Sequence, residues 1–486
     1  MAESLKQKTV KGISWSFVEQ ILTRGANFVI GIILARLLSP TDYGLVGMMG
    51  IFIAISQIFI DGGLTNALIR EKNASEEDYS TVYIVNLTMG VLFYFLLFFS
   101  APVIADFYDQ PLLKPLLRVT ALILIIGSLG AVQGTMLTKK VDFKTKFIIS
   151  ILASLLSGAT GIFCAMKGLG PWALIAQTLA ATTIFTLLTL VFVRWMPSFR
   201  FSVESFKRLF SYSSKLLAAS LINAVYSNGY PLVIGKRFSA GDVGMFTRAQ
   251  QFPTVANETM ISTFNRVAYP VFSQIQDDDA RLYTVYDRYI QVFCFITFPV
   301  LLWLCGCSRP VVSLLLTDKW LDCVPMMQIM CISLLPIGMV RINTNILYVK
   351  GRSDLALRME IIKKCIMFAV MFISMFFGLM AMCYGLILNT LIDLYFSSFY
   401  TKKILGFPLT RQLKNVFPYL LISLVILLEA LLLSRFISSN LLSICTSLVV
   451  CAATYFLISK VTGLYAYQEA MELVKDFKKK HLHGKN

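Results

Sequence analysis

The chain has 486 residues, of which 57% are hydrophobic and only 15% are charged, and its mean hydropathy is +0.71. A soluble globular domain contains about 45–50% apolar and about 25% charged residues, so this composition excludes a water-soluble enzyme. The net charge is +17, from 44 Lys and Arg against 27 Asp and Glu. The composition predicts a polytopic membrane protein, in which such an excess reports topology and not nucleic-acid binding.

Hydropathy predicts an all-α protein with fourteen transmembrane helices, each close to the ~20 residues that cross a bilayer. Loops and tails are then short, so no sizeable soluble domain is expected. The first predicted span follows three lysines and has no cleavage pattern, which indicates an uncleaved helix and not a signal peptide. In chain order the predicted spans are 12–34, 44–66, 81–104, 116–138, 147–166, 171–193, 214–235, 243–266, 288–307, 325–349, 360–380, 382–401, 415–434 and 440–459.

The distribution of basic residues orients these spans. With a cytoplasmic N-terminus, the cytoplasmic segments hold 31 Lys and Arg, the outer segments hold nine, and four arginines fall within spans. Positive charge concentrates on the cytoplasmic side of membrane proteins, so both termini are predicted to be cytoplasmic. The lysine-rich segment 475–480 is interpreted as a topological stop signal, with docking on anionic lipid headgroups as the alternative.

A short motif occurs twice, 200 residues apart, as Ser39-Pro40-Thr41-Asp42-Tyr43-Gly44 and Ser239-Ala240-Gly241-Asp242-Val243-Gly244. A serine followed three residues later by an acid is typical of a helix start, because both side chains cap backbone N–H groups. Six predicted spans separate the copies, so the two repeat units have the same orientation. Parallel repeats of this kind build transporters whose substrate path lies between two lobes.

Polar side chains at predicted bilayer depth are the candidate site residues, since each ionisable group costs about 2.5–3.5 kcal/mol to insert without water or a partner. Candidates for binding an anionic group are Arg24, Arg248, Arg266 and Arg341. Candidates for lining a cavity are Gln20, Asn27, Asn223, Tyr226, Ser227, Tyr230, Gln251 and Asn345. Acids that could couple an ion, or stay buried and protonated, are Asp61, Glu258, Asp393 and Glu429. Asp61 could instead pair with Arg24 in a dry interface.

Several kinds of chemistry are not expected. The only two histidines, His481 and His483, lie in the tail, and the ten cysteines lie mostly in apolar runs without metal-ligand spacing. The sequence has no Walker A motif and no long outer loop for a catalytic domain. We therefore expect no enzymatic activity, no cofactor and no metal centre. Whether transport is coupled to an ion, H⁺ or Na⁺, stays open.

Five segments resemble the Wzx-type polysaccharide exporters of the multidrug/oligosaccharidyl-lipid/polysaccharide flippase superfamily: Phe28–Gly44, Asp61–Arg70, Gly244–Gln251, Ala268–Gln276 and Gly351–Asp354. The resemblance implies two six-helix lobes around a central cavity, followed by two further helices. The expected domains are an N-terminal lobe over 1–200, a C-terminal lobe over 201–405, spans 13 and 14 over 406–460, and a cytoplasmic basic tail over 461–486.

The resemblance also implies a function, which is alternating-access export of undecaprenyl-diphosphate-linked oligosaccharide across the bacterial inner membrane for O-antigen, capsule or exopolysaccharide. Related lipid II flippases use arginines in their first and eighth helices, to which Arg24 and Arg248 could correspond. We expect Arg24, helped by Arg248, Arg266 or Arg341, to bind the diphosphate through charge-assisted hydrogen bonds. The expected partners are the lipid-linked substrate, membrane lipid and other polysaccharide assembly proteins, with no nucleic acid, and the chain is expected to be a monomer.

Two other functions stay open. A multidrug or toxin antiporter of the same superfamily would favour acidic groups for cationic drugs, whereas the four predicted intramembrane arginines favour an anionic substrate. A membrane glycosyltransferase or polymerase would need longer outer loops than this sequence provides.

Overall fold

The computed structural model describes residues 22–198, 200–469 and 471–472, and within these ranges the chain is helical and contains no β-strand. Ten helical stretches of the described chain are long and apolar enough to cross a membrane. This confirms the prediction of an all-α, multi-pass membrane protein. The contacts divide the chain after Gly244 into two compact units, which we call the N-terminal unit and the C-terminal unit.

The N-terminal unit contains nine helices within its described residues, and they place its polar groups. They are α1 (described over 22–37), α2 (Pro40–Asp61), α3 (Leu64–Arg70), α4 (Glu76–Phe107), α5 (Leu113–Thr120), α6 (Leu122–Lys139), α7 (Phe143–Met166), α8 (Pro171–Val193) and α9 (Val203–Arg237). Helix α8 packs against both α6 and α7, and α2 packs along α9. A Cβ atom at Gly158 would collide with Ile30, so α1 lies directly against α7.

The C-terminal unit begins within α10 (Ala240–Gln274), whose first turn belongs to the N-terminal unit. The helices that follow are α11 (Asp279–Gly306), α12 (Ser308–Leu316), α13 (Val324–Leu334), α14 (Ile337–Val349), α15 (Ser353–Ser374), α16 (Leu379–Leu405), α17 (Leu409–Phe436) and α18 (Asn440–Val461). Helix α11 packs along α17, and α16 packs against both α14 and α15. Pro336 separates α13 from α14, because proline has no N–H to continue the helix.

Both copies of the repeated motif form the helix start that the sequence predicts. The Ser39 backbone and hydroxyl groups donate to the Asp42 carboxylate at 2.8 and 2.7 Å, and the Asp42 N–H donates to Ser39 Oγ at 3.2 Å. Ser239 and Asp242 make the same three hydrogen bonds at 3.0, 2.7 and 3.1 Å. The repeat therefore encodes two matching capping boxes, at the N-termini of α2 and α10.

A fully buried polar network joins four helices of the C-terminal unit. The Asn343 amide of α14 donates to Ser397 and Ser398 of α16 at 3.2 and 3.1 Å and to Gln412 of α17 at 3.2 Å. The Tyr286 hydroxyl of α11 donates to the Asn343 carbonyl oxygen. Because every partner is buried, the network specifies how these helices pack.

Each predicted span overlaps at least one described helix, and the first is described only from residue 22. The ten most apolar helices correspond to ten of these spans. The spans 214–235, 243–266 and 360–380 correspond to α9, α10 and α15, which carry more polar and charged residues. Helices α9 and α10 have 35 residues each and extend past the predicted spans, since hydropathy does not detect polar helical ends.

Candidate functional site

The N-terminal unit contains a cavity of about 670 Å³ between α1, α6, α7 and α8. This volume lies within the ~300–1,000 Å³ range of small-molecule sites. None of its sixteen lining residues is charged, nine carry a hydroxyl or an amide group, and the one aromatic residue is Phe185. The lining residues are Thr23, Asn27, Gly127, Gly130, Ala131, Gly134, Ser150, Ala153, Ser154, Ser157, Gln177, Thr178, Ala181, Thr182, Phe185 and Thr186.

Helical periodicity in the sequence builds the walls of this cavity. On α6 and on α7 the lining residues recur at i, i+3, i+4 and i+7, so each set lies on one helix face. All eight are Gly, Ala or Ser. These small side chains leave a space between α6 and α7, while both helices pack against α8. Six further lining residues, between Gln177 and Thr186, form a stripe along α8, and four of them are polar.

Some of the hydroxyl groups that line the cavity are held by hydrogen bonds. Ser154 Oγ donates to the side-chain oxygen of Asn27 at 2.6 Å, which joins α7 to α1. Thr182 Oγ1 donates to the Thr178 carbonyl of its own helix at 3.0 Å. A hydroxyl that donates in this way still accepts hydrogen bonds from a ligand or water. The buried Thr23 hydroxyl has no hydrogen-bond partner in the described part of the chain.

Arg24 lies in sequence between Thr23 and Asn27, the two α1 residues that line the cavity, and is not itself a lining residue. It directly follows Thr23, and Asn27 lies less than one turn further along. The Arg24 side chain is exposed. Asp61, the alternative partner, accepts a hydrogen bond from Thr65 Oγ1 at 2.6 Å, and among the described residues it forms no ion pair with Arg24. The dry Arg24–Asp61 pair is therefore absent from this part of the structure. Gln20 lies outside the described residues.

The predicted polar stripe of α9 is divided between two environments. Asn223 and Ser227 are exposed, Tyr226 is half-buried, and Tyr230 is buried. Two side chains of the stripe are therefore accessible, whereas Tyr230 packs in the interior.

The predicted residues of α10 and α14 lie in the C-terminal unit. Arg248 is half-buried and donates to the side-chain oxygen of Gln251. Glu258 and Arg266 are both exposed, and they are eight residues apart on one face of α10. On α14, Arg341 is exposed. The Asn345 amide of α14 donates to the side-chain oxygen of Asn265 on α10 at 2.9 Å. Asn345, which the sequence predicts to line a cavity, therefore joins the two helices.

Asp393 forms an ion pair that the sequence did not indicate. Its carboxylate on α16 contacts the Lys363 ammonium of α15, which also donates to Glu360 at 2.8 Å. Lys363 is only 2% exposed. Arg341 acts electrostatically on the same ammonium, so a predicted anion-binding arginine lies near this cluster. Lys363 is one of the 31 basic residues that the sequence assigns to cytoplasmic segments, although it lies inside the predicted span 360–380.

Glu429, the remaining predicted acid, lies on α17. Its side chain is half-buried, its Oε2 has no hydrogen-bond partner among the described residues, and the Cys451 thiol that it acts on electrostatically lies on α18. The carboxylate therefore faces the packed interface between the last two transmembrane helices of the described chain. Among the described residues, no group of three or more His, Cys, Asp or Glu side chains could hold a metal ion.

The motif Gly351–Asp354 forms the turn between α14 and α15. Gly351 has a φ of 69°, a left-handed conformation that favours glycine. The Arg352 guanidinium donates to both Asp354 carboxylate oxygens at 3.0 Å. These hydrogen bonds hold the pKa of the Asp354 carboxyl below its ordinary value. The motif therefore shapes a turn outside the membrane-spanning segments.

Comparison with known proteins identifies the family. A family described as "Polysaccharide biosynthesis protein" matches residues 33–325, more than half of the chain. The protein therefore belongs to this family of polysaccharide biosynthesis proteins. The chain is similar to the teichuronic acid biosynthesis protein TuaB of Bacillus subtilis, with 29% identity over 73% of this chain and 74% of TuaB. It is also similar to the lipopolysaccharide biosynthesis protein WzxC of Escherichia coli, with 27% identity over 74% of each chain.

The fold is that of a solved transporter structure. The lipid II flippase MurJ, in an inward closed conformation, superposes with a TM-score of 0.74 and 15% sequence identity, over 95% of this chain and all of MurJ. At this identity the similarity defines the fold. The family match and the similarity to WzxC confirm the resemblance to Wzx-type exporters.

Proposed function

We propose that this protein is a flippase that moves undecaprenyl-diphosphate-linked oligosaccharide across the bacterial inner membrane by alternating access. The transported lipid would supply the synthesis of a surface polysaccharide. Its relatives take part in lipopolysaccharide and teichuronic acid biosynthesis, and MurJ, which shares the fold, is a lipid II flippase. The function is transport and not enzymatic catalysis.

The exposed Arg24 carries this proposal. Its guanidinium is at predicted bilayer depth, and in the described chain Asp61 does not neutralise it. An intramembrane charge of this kind faces water, a cavity or a ligand. Arginine binds phosphate oxygens in a bidentate manner, so a diphosphate is a suitable ligand. Arg248, Arg266 and Arg341 of the C-terminal unit are further proposed diphosphate ligands.

The proposal includes the membrane topology of the chain. Fourteen spans, with both termini in the cytoplasm, place most basic residues on the cytoplasmic side. Arg24 then lies near the middle of the first span, where a diphosphate headgroup must pass. We assign a monomer as the transporting unit. Lys363 already neutralises Asp393, which supports an anionic substrate over the cationic drugs of a multidrug antiporter.

Export in a strain whose own copy of the gene is deleted tests the role of Arg24. We expect Arg24→Gln to reduce surface polysaccharide at least about tenfold, because the loss of a charge-assisted contact costs about 1.5–3 kcal/mol. The lipid-linked oligosaccharide should accumulate inside the cell, and the membrane level of the protein should stay normal. Arg24→Lys should retain part of the activity, since it keeps the charge without the bidentate geometry.

Arg36→Gln is the matched control, because Arg36 is also an exposed arginine on α1. This variant should export normally. Normal export by Arg24→Gln would overturn the proposed role of Arg24.

A further inference from the structure

We propose that the uncharged cavity of the N-terminal unit binds the neutral sugar residues that follow the diphosphate. This inference rests on the proposed function and assigns a subsite to one part of that substrate. The ligand class is a neutral hexose or an N-acetylated hexosamine, and not a uronic acid or a free amino sugar.

The chemistry of the lining residues supports a sugar ligand. Nine hydroxyl or amide side chains surround the cavity, and no charged side chain does. Five of the hydroxyl groups already donate within the protein, whereas the buried Thr23 hydroxyl has no partner among the described residues. An unsatisfied polar group at membrane depth costs several kcal/mol, so Thr23 favours water or a polar ligand over lipid chains in this cavity. Sugar hydroxyl groups both donate and accept, as these side chains do. Binding a charged sugar would require an opposite charge that the cavity lacks.

The position of the cavity supports a place next to the diphosphate. Thr23 and Asn27 line the cavity, and the exposed Arg24 lies between them on α1. Arg24 and Asn27 are three residues apart, so they lie within about one helical turn, or roughly 5 Å along the axis. A diphosphate held by Arg24 therefore places its first sugars at the cavity entrance.

Gly134 provides a sharp test of this assignment. It lines the cavity, and a Cβ atom added there would meet no other atom within 4 Å. A leucine at this position would therefore fill the cavity without steric overlap at its Cβ. Leucine also favours the α6 helix over glycine, by roughly 0.5–1 kcal/mol. Gly134→Leu should fold at least as well as the wild-type protein.

The experiment measures lipid binding to the full-length protein in nanodiscs by native mass spectrometry. The two probes are undecaprenyl diphosphate and the same lipid carrying a neutral disaccharide. We expect the wild-type protein to bind the glycosylated lipid about tenfold more tightly, as one or two added hydrogen bonds would produce. Gly134→Leu should abolish this difference while it changes the affinity for the bare lipid less than about twofold.

Ala159→Leu on α7 is the matched control, since Ala159 is exposed and does not line the cavity. It should keep the preference for the glycosylated lipid. Equal binding of both lipids by the wild-type protein, or an unchanged preference in Gly134→Leu, would overturn the subsite alone. If the wild-type protein binds neither lipid, the proposed function fails and the subsite fails with it.

A second measurement tests whether the cavity holds water, and it does not depend on transport. Thiol reagents react with the thiolate, which forms readily only where water reaches the sulfur. Thr182→Cys should react with a water-soluble maleimide, whereas Ala159→Cys, on the outer face of α7, should not. Peptide-resolved mass spectrometry separates these sites from the ten native cysteines. An unreactive Thr182→Cys would show a dry cavity and overturn the proposal.

Discussion

Gly44 packs directly against the backbone of Ala240, so that a Cβ atom at Gly44 would overlap the Ala240 carbonyl oxygen. The relationship is reciprocal, since a Cβ atom at Gly244 would overlap the carbonyl oxygen of Pro40. Each copy of the repeated motif thus provides the glycine into which the first helical residue of the other copy fits. The first turns of α2 and α10 approach each other closely because both glycines lack a side chain.

We expect Gly44→Ala and Gly244→Ala each to destabilise the protein by about 1–3 kcal/mol or more, because the overlap is with backbone that cannot rotate away. The thermal unfolding midpoint in detergent and the membrane level of the protein should both fall. Gly241→Ala is the matched control, since its Cβ would lie 3.5 Å from Ser239 Oγ, an ordinary contact. Unchanged midpoints for both Gly44→Ala and Gly244→Ala would show that the two turns can separate at little cost.

The second prediction concerns the network around Asn343. Replacing Asn343 with Leu removes the acceptor of the buried Tyr286 hydroxyl and one hydrogen bond each from Ser398 and Gln412, which keep the hydrogen bond between them at 3.1 Å. Each unsatisfied group costs about 1–3 kcal/mol. We expect a large loss in the free energy of unfolding, measured by SDS titration in mixed micelles. Asn440→Leu is the control, because the Asn440 amide makes one hydrogen bond, to Ser313 at 3.1 Å, near the start of α18. Equal losses in the two variants would contradict a special role for the network.

The helices of this protein could be predicted from sequence because apolar length and helix caps are local signals. Hydropathy located the segments that form helices, and the repeated serine and acid predicted the capping boxes at Ser39 and Ser239. The close approach of Gly44 and Ala240 could not be predicted. It depends on contacts between residues about 200 positions apart, and the spacing within either motif does not encode them.

The candidate site was only partly predictable for a related reason. Charged residues in apolar segments are rare, so Arg24 and Asp393 were identified from sequence. The cavity on α6, α7 and α8 was missed because its Gly, Ala and Ser residues are common in packed transmembrane helices. Only the arrangement of the three helices distinguishes a cavity wall from a packing surface.

The third prediction concerns the segment between α8 and α9, which is attached to the start of α4. The backbone N–H of Ser202 donates to Thr81 Oγ1 at 3.0 Å, and that of Ser198 donates to Ser80 Oγ at 2.9 Å. Trp195 Nε1 donates to the Glu76 carboxylate at 2.8 Å. These contacts hold the segment in place through the buried Ser80 and Thr81 and the exposed Glu76 of α4.

Thr81→Val removes the acceptor for Ser202 while it preserves the shape of the side chain. We expect it to cost about 1–3 kcal/mol locally, and amide hydrogen exchange around Ser202 to become at least about tenfold faster. Thr88→Val is the matched control on α4, because Thr88 is exposed. Unchanged exchange in Thr81→Val would mean that the segment is held by other contacts.

The fourth prediction concerns the ion pair between the buried Lys363 and the half-buried Asp393. Removing one partner of a buried ion pair leaves an uncompensated charge, which typically costs about 3–5 kcal/mol. We expect Lys363→Met to lower the free energy of unfolding by this amount, because Asp393 then has no cation in contact. Asp393→Leu should lower it less, since Glu360 still pairs with Lys363. The free energies of unfolding come from SDS titration.

The double variant Lys363→Met/Asp393→Leu decides whether the two charges act as a pair. It should be more stable than Lys363→Met, because it removes the half-buried carboxylate together with its cation and replaces both with apolar groups. Lys403→Met, at an exposed position on the same α16 helix, controls for the loss of a lysine and should change stability by less than about 0.5 kcal/mol. If the losses in the two single variants simply add in the double variant, the two residues contribute independently and their contact has no net energetic effect.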